Sequence, residues 1–315
     1  VRLIFMGTPE FSLPSLRRLI SAGYKIPLVI TRPDKPKGRG KKLTPPPVKV
    51  EGKKIGLKVI QPNRLKDESF LSLLKKEAPE LIVVVAYGKI LPPEVFRFPP
   101  LGTVNLHPSL LPKYRGAAPI NWAIINGERE TGVTTILMDE GMDSGDILLS
   151  RKVTIGDEET APELERRLAE EGAKLLISTI EGIRNGTITP TPQDHSQATF
   201  APMLTKEEGV IDWRLPARNI VNRIRGLLPW PTAYSFFRGR LMKFLKGRVF
   251  PLSVPLSKRK PGEILIIDRR LIVAAGGGEG VEVLKLKPEG RKEMDSSSFI
   301  NGYRPRPGES FTPTP

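Results

Sequence analysis

Over its first two-thirds the chain alternates short apolar runs with segments whose apolar residues recur every three and four positions, and that rhythm leaves few folds open. Val1–Met6, Ile26–Thr31, Lys58–Ile60, Leu81–Ala86 and Thr103–His107 read as strands. Leu13–Ala22, Val48–Gly56 and Asp67–Glu77 read as helices between them, with Gly23 and Gly56 as stops. Strands and helices in that order specify a doubly wound α/β domain around a mostly parallel sheet. Further on, Pro119 opens a short helix that Asn126-Gly127 closes, Val133–Met138 adds a strand, and Ala161–Ile183 is a long amphipathic helix with Pro162 in its first turn.

From Thr187 to Pro202 the periodicity stops in a Thr- and Pro-rich stretch that fits an extended connection. The expected division is a domain over 1–189, a linker over 190–204 and a second domain over 205–315. In the latter, a helix over Pro216–Arg225 precedes the runs Leu241–Leu245, Glu263–Ile267, Leu271–Ala275 and Gly280–Leu286, which predict a small β-barrel. The Pro-rich tail from Arg304 is expected to fray.

The charge is distributed unevenly. Residues 1–60 carry 14 basic and 3 acidic side chains, residues 61–204 carry 15 and 20, and residues 205–315 carry 21 and 11. Basic ends around a mildly acidic middle suit a site for a modest reactant flanked by surfaces that hold a polyanion. One stretch, Thr31–Lys49, holds seven basic residues, five prolines and two glycines. It cannot be a helix or a central strand, and the reading is an irregular arm for nucleic-acid phosphates or else a solvated basic loop. The absence of cysteine excludes disulfides, thiolate metal sites and cysteine nucleophiles. The longest apolar run, Leu81–Ala86, is far short of the ~20 residues that span a bilayer. With neither a secretory signal nor a presequence at Val1–Met6, a soluble, cytoplasmic, monomeric protein away from membranes is expected.

Only two histidines are present. His195 lies in the linker, where a structural or solvated role is expected. His107 ends a strand, and ligands bind at the carboxyl ends of strands in open α/β sheets. Side chains two apart on a strand share a face, so Asn105 and His107 offer together an amide donor and a group that titrates near neutrality. The loop Ser109–Pro119 and the acid-rich turn Met138–Asp146 follow. The turn lacks the alternating acids and closing Glu of a calcium loop. Neither Gly7–Ser12 nor Gly38–Lys42 completes a dinucleotide or phosphate-loop fingerprint. From these residues alone, packing and catalysis both stay open.

The motif Asn-x-His-x-Ser-Leu-Leu-Pro-x-Tyr-Arg-Gly-Ala-Ala-Pro over 105–119, then Met-Asp-x-Gly-x-Asp-Ser-Gly-Asp over 138–146, resembles the folate-dependent formyltransferase superfamily. Gly7–Phe11, the Gly-Arg-Gly-Lys-Lys loop, Val83–Gly88 and Arg225–Pro231 resemble it too, so the similarity spans nearly the whole chain. It implies a Rossmann-like formyltransferase domain followed by an OB-like barrel. The implied reaction is transfer of the formyl group of 10-formyltetrahydrofolate to the amine of methionyl initiator tRNA, with no metal expected. Asn105, His107 and Asp143 then take the catalytic positions. Ser109, Leu110, Leu111 and Pro112 contribute to the folate site, and Ile90 and Leu91 line it together with the Met138–Asp143 turn. Arg39, Lys41, Lys42 and Lys206 are the candidate tRNA contacts. Formyl transfer to a small amine would leave the basic regions without a purpose, and a non-catalytic RNA-binding protein would leave the Asn105, His107 and Asp143 set unexplained.

Overall fold

The computed structural model describes residues 1–37, 40, 42–250 and 259–315. They form two compact units: Val1–Pro119, Glu130–Thr154 and Glu165–Ala201 in the first, and Ile120–Arg129, Ile155–Leu164 and Pro202–Pro315 in the second. The stretches 120–129 and 155–164, counted with the first domain from sequence, thus group with the second unit.

In chain order the earlier elements are β1 (Arg2–Gly7), α1 (Leu13–Ser21), β2 (Lys25–Ile30), β3 (Lys35–Lys37), β4 (Lys42–Thr44), α2 (Pro47–Lys54), β5 (Val59–Ile60), α3 (Glu68–Glu77) and β6 (Leu81–Val85). Then come α4 (Pro93–Phe96), β7 (Thr103–His107), β8 (Arg115–Gly116), α5 (Pro119–Ile125), β9 (Glu130–Leu137), β10 (Ile147–Thr154), α6 (Ala161–Asn185) and β11 (Phe200–Ala201). The main sheet has the order β10-β9-β7-β6-β1-β2-β5. Strands β7, β6, β1, β2 and β5 run parallel, and β9 and β10 add antiparallel pairs at one edge.

Strand β6 is an unbroken Leu-Ile-Val-Val-Val run and every residue in it is buried, as a strand covered on both faces requires. Leu16 and Leu19 of α1 and Phe70 and Leu74 of α3 form the apolar stripes of those helices and are buried. The chain winds from β1 out to β2 and β5 and then crosses to β6 on the other side of β1, which makes the carboxyl ends of β1 and β6 a topological switch point. There Ser12 Oγ donates to the Val85 carbonyl at 2.7 Å and Thr8 Oγ1 to that of Tyr87 at 2.9 Å.

The basic stretch is not irregular throughout. β3 and β4 pair as a two-stranded antiparallel ribbon, and α2 begins at Pro47. The prolines bar a central strand, but a two-stranded ribbon has only edges, where Pro36 is tolerated. Its base is pinned by Lys49, whose Nζ is 2.8 Å from Asp34, and by Gln61, which donates to Asp34 at 2.7 Å. The expected sites Arg39 and Lys41 lie outside the described residues, while Lys42 starts β4 and is exposed.

The second unit continues with α7 (Ala217–Gly226), β12 (Tyr234–Phe237), β13 (Arg240–Phe250), β14 (Ile264–Ile267), β15 (Arg270–Ala274), β16 (Gly280–Pro288), β17 (Met294–Asp295) and α8 (Ser296–Tyr303). Its curled antiparallel sheet has the order β12-β13-β16-β15-β14, with β17 beside β16. The tail does not fray. Thr312 bridges to Phe236 on one edge strand and Ser310 to Glu263 next to the other, so the tail spans the gap between the sheet edges. Phe311 is the reason: it is buried against Trp213, Phe237, Phe244 and Phe299 at ring-centroid distances of 5.1–6.0 Å. Burial of this ring, together with the backbone bonds from Phe311 N to Gly262 O and between Thr312 and Phe236, offsets the entropy of ordering these proline-stiffened residues.

Candidate active site

Strand β7 spans the residues expected of it, and the alternation of its side chains places Asn105 and His107 on one face. The acid turn is folded back to meet them. On the approach to the turn, Leu137 N donates to Asp146 O at 2.9 Å and Met138 N donates to Thr103 O at 2.8 Å. A side chain at Gly145 would have its Cβ 1.8 Å from the Leu137 carbonyl oxygen, so this close turn admits only glycine.

The turn carries Asp143 in the left-handed region, φ 51°, and aims its carboxylate at three groups. Asn105 Nδ2 donates to Oδ1 at 3.3 Å, Gly116 N donates to Oδ2 at 2.9 Å, and His107 Nδ1 lies 3.5 Å from Oδ2. The neighbouring Asp139 is not available in the same way, because it accepts from Gly141 N at 3.0 Å and Ser144 Oγ at 2.8 Å and so holds its own turn.

His107 is 4% exposed. Its Nε2 is 2.9 Å from the Tyr114 carbonyl oxygen. A carbonyl only accepts, so Nε2 carries the hydrogen and Nδ1 is the edge turned toward Asp143. The loop 109–116 that supplies this carbonyl is itself tied down: Ser109 Oγ donates to Lys113 O at 2.6 Å, Thr134 Oγ1 donates to Ser109 O at 2.7 Å, and Leu111 N donates to Thr134 Oγ1 at 3.2 Å. β8 pairs with β11, and the Cβ position of Gly116, at φ 116°, would lie 2.8 Å from Ala201 O.

Periodicity gave no sign of several contributors. The Tyr114 carbonyl and the Gly116 N–H act through the backbone, which residue type does not reveal. Gln193, in the presumed linker, donates through Nε2 to the carbonyls of Asp143 at 2.9 Å and Gly145 at 2.7 Å. His195 lies exposed with Nδ1 3.1 Å from Arg115 Nη2.

A separate hollow of about 340 Å³ in the first unit is lined by Leu65, Ile90, Leu91, Pro92, Pro93 and Phe96, with Lys66, Lys89 and Glu140. Leu91 is buried, whereas Ile90 is 92% exposed, an unusual position for an isoleucine with nothing against it. Lys89 Nζ donates to the carbonyls of Pro62 at 3.0 Å and Asn63 at 2.8 Å, and burial together with the charges of Arg32 and Lys35 lowers its pKa from the ordinary lysine value. Ser109–Pro112 are not among the residues lining this hollow. In the second unit, Lys206 is exposed beside the turn Glu207–Gly209.

The family described as formyl transferase matches residues 1–180, and the formyl transferase C-terminal domain matches residues 203–304. The chain belongs to the formyl transferase family. A methionyl-tRNA formyltransferase of Thermodesulfovibrio yellowstonii is 49% identical over 312 residues, covering 98% of this chain and 99% of the relative. One of Desulfotalea psychrophila is 47% identical over 304 residues, 96% of this chain and 93% of the relative. Among solved structures, an N-formyltransferase of Helicobacter canadensis in complex with folinic acid and dTDP-3-aminofucose is similar with a TM-score of 0.67 at 19% identity, over 90% of this chain and 98% of the other. Methionyl-tRNA formyltransferase from Clostridium thermocellum gives 0.55 at 19% identity, over 79% and 92%. At such identities these structures speak to the fold alone, and the fold agrees.

Proposed function

We propose that this family member transfers the formyl group of 10-formyltetrahydrofolate to the α-amine of methionyl initiator tRNA. The observation that carries the chemistry is the convergence of Asn105, His107 and the Gly116 N–H on the Asp143 carboxylate at a strand end. Near-full-length similarity to methionyl-tRNA formyltransferases supports the acceptor.

The folate donor supplies a formyl carbonyl whose carbon is attacked by the amine. As the amine adds, its nitrogen must lose a proton and the formyl oxygen gains negative charge. Collapse of that tetrahedral centre re-forms the carbonyl and breaks the bond to folate N10, which leaves as the amine of tetrahydrofolate carrying the proton that the methionyl nitrogen released. Asp143 is the acceptor for that proton, directly or through one water, and its contact with His107 Nδ1 lets the imidazole share it. The second N–H of Asn105 is a neutral donor for the developing oxyanion, preplaced by the bond its amide already makes to Asp143. His107 can serve that oxygen only by releasing the Tyr114 carbonyl.

The hollow lined by Ile90 and Leu91 fits the donor's chemistry: its walls are largely apolar, its volume is in the range of small-molecule sites, and Lys66 and Lys89 among its lining suit carboxylates. Lys42 of the basic ribbon, its sequence neighbours Arg39 and Lys41, and Lys206 with the basic residues of the second unit's sheet are assigned to tRNA phosphates. The test offers labelled 10-formyltetrahydrofolate with charged initiator tRNA, charged elongator tRNA and free methionine. Label is expected on the methionyl amine of initiator tRNA; equal labelling of free methionine or of a small amino sugar would overturn the reading.

A further inference from the structure

Residues 181–202 fall between the two family matches, yet part of this stretch is built into the site described above. Gln193 is 6% exposed. Both bonds of its amide nitrogen go to backbone carbonyls of the acid turn, those of Asp143 and Gly145, and its Oε1 accepts from Arg115 Nε at 3.1 Å and Nη2 at 2.6 Å. Arg115 is buried as well, and its remaining contact to His195 requires Nδ1 there to be the unprotonated acceptor, because a guanidinium only donates.

The same segment grips the opposite wall. Tyr114 N donates to Thr199 Oγ1 and Arg115 N to Thr199 O, each at 2.9 Å, while Ala117 N donates to Ala201 O at 2.9 Å. The turn that presents Asp143 and the loop that presents the Tyr114 carbonyl and the Gly116 N–H therefore hang from one strap of about ten residues. Asp143 is held in a left-handed conformation that a non-glycine residue leaves readily unless its peptide groups are fixed from outside. Gln193 is what fixes them.

We infer that Gln193 is a positioning residue for formyl transfer, acting through Asp143, and that Arg115 holds Gln193 in register. The inference rests on the role given to Asp143 above. In Gln193→Glu the acceptor for Arg115 is kept and the two donors to the turn are lost, so carboxylate oxygens would face carbonyl oxygens. The kcat for formyl transfer is expected to fall roughly 10–100-fold with KM for donor and tRNA within about twofold, since displacement of a reacting group by about 1 Å costs up to about that much. In an Asp143→Asn background the same substitution is expected to cost less than about threefold, because its route of action is gone. Gln193→Met, which adds no charge, gives the same comparison should the glutamate variant not fold.

Wild-type kcat in either Gln193 variant, or an equal loss in both backgrounds, would overturn the inference. If Asp143→Asn itself retains full rate, the acid assignment has failed instead, and the two failures are told apart by that one variant.

Discussion

Strand β6 of the first unit buries all five of its residues, whereas β13 of the second buries only Met242 and Phe244 of its eleven. A sheet buried on both faces presents chemistry mainly toward its ends; His107 and the β1–β6 switch point lie at strand ends, with Asn105 two residues before the end of β7 on the face of His107. The curled sheet has an aromatic core on one face; Leu271–Ala274 of β15 and Gly280–Val283 of β16 are buried throughout, whereas along β13 and the far half of β16 the other face reaches solvent. There Lys243 stands opposite Lys287, and among the described residues neither is in an ion pair, although like charges directly across a sheet are unfavourable by themselves. The difference fits the division of labour proposed above, in which the first sheet fixes a few groups at strand ends and the second carries spread basic charge. Not every basic group takes part, since buried Arg225 is committed to the carbonyls of Gly156 and Glu159 and to Asn222, and burial lowers its pKa.

The comparison can be broken at either end. The largest effect is expected at the strand end: His107→Ala or Asp143→Asn should lower the formylation rate by roughly 10²–10⁴ with tRNA affinity nearly unchanged, as read by single-turnover kinetics beside a binding titration. A larger loss at Asp139 than at Asp143 would mean that the wrong acid has been assigned. Next is Phe244→Ala, which empties the space beside Trp213 and Phe311 and should cost the second unit about 3–5 kcal/mol in denaturant unfolding while donor binding by the first unit persists.

Replacing Lys243 and Lys287 together by Ala is expected to weaken tRNA binding evenly across tRNAs and to flatten its salt slope by about 1.4–1.8, at about 0.7–0.9 per phosphate contact. An unchanged slope would leave that face without the role given to it. The smallest effect belongs to the tail. Two-point contact with Arg238 and the Arg306 N–H push Glu309 down to about 2. A depressed folded pKa stabilises above the unfolded value and is lost as pH falls from about 4.5 toward 2, so Glu309→Gln should remove a shallow stability loss in that window, seen in acid unfolding curves.

Strand β7 and helices α1 and α3 were legible because burial imposes a period on their side chains, and the motif around Asn105 and Asp143 was legible as a resemblance. Strand β10 was missed: it is an edge strand with three consecutive exposed residues, so its pattern lacks the apolar run of the interior strands. Helix α8 was missed because Ser-Ser-Ser-Phe-Ile-Asn-Gly-Tyr has little helix propensity; it stands on the Asp295 cap, which accepts from Ser298 N at 2.7 Å, and on buried Phe299. Gln193 was passed over in a stretch read as linker because its partners are backbone carbonyls some fifty residues away in sequence, which no local pattern encodes. The tail was misread for a similar reason, its order depending on the cavity that Phe311 fills.

The separation of chemistry from charge is the central claim, and the salt dependence of steady-state formylation of charged initiator tRNA tests it most directly. With donor saturating, log(kcat/KM) for tRNA is expected to fall linearly with log salt, because phosphate contacts are made on binding, while kcat at saturating tRNA stays level, because the Asn105, His107 and Asp143 set is sheltered from bulk ions. A kcat/KM indifferent to salt, or a kcat that falls with the same slope, would contradict the account.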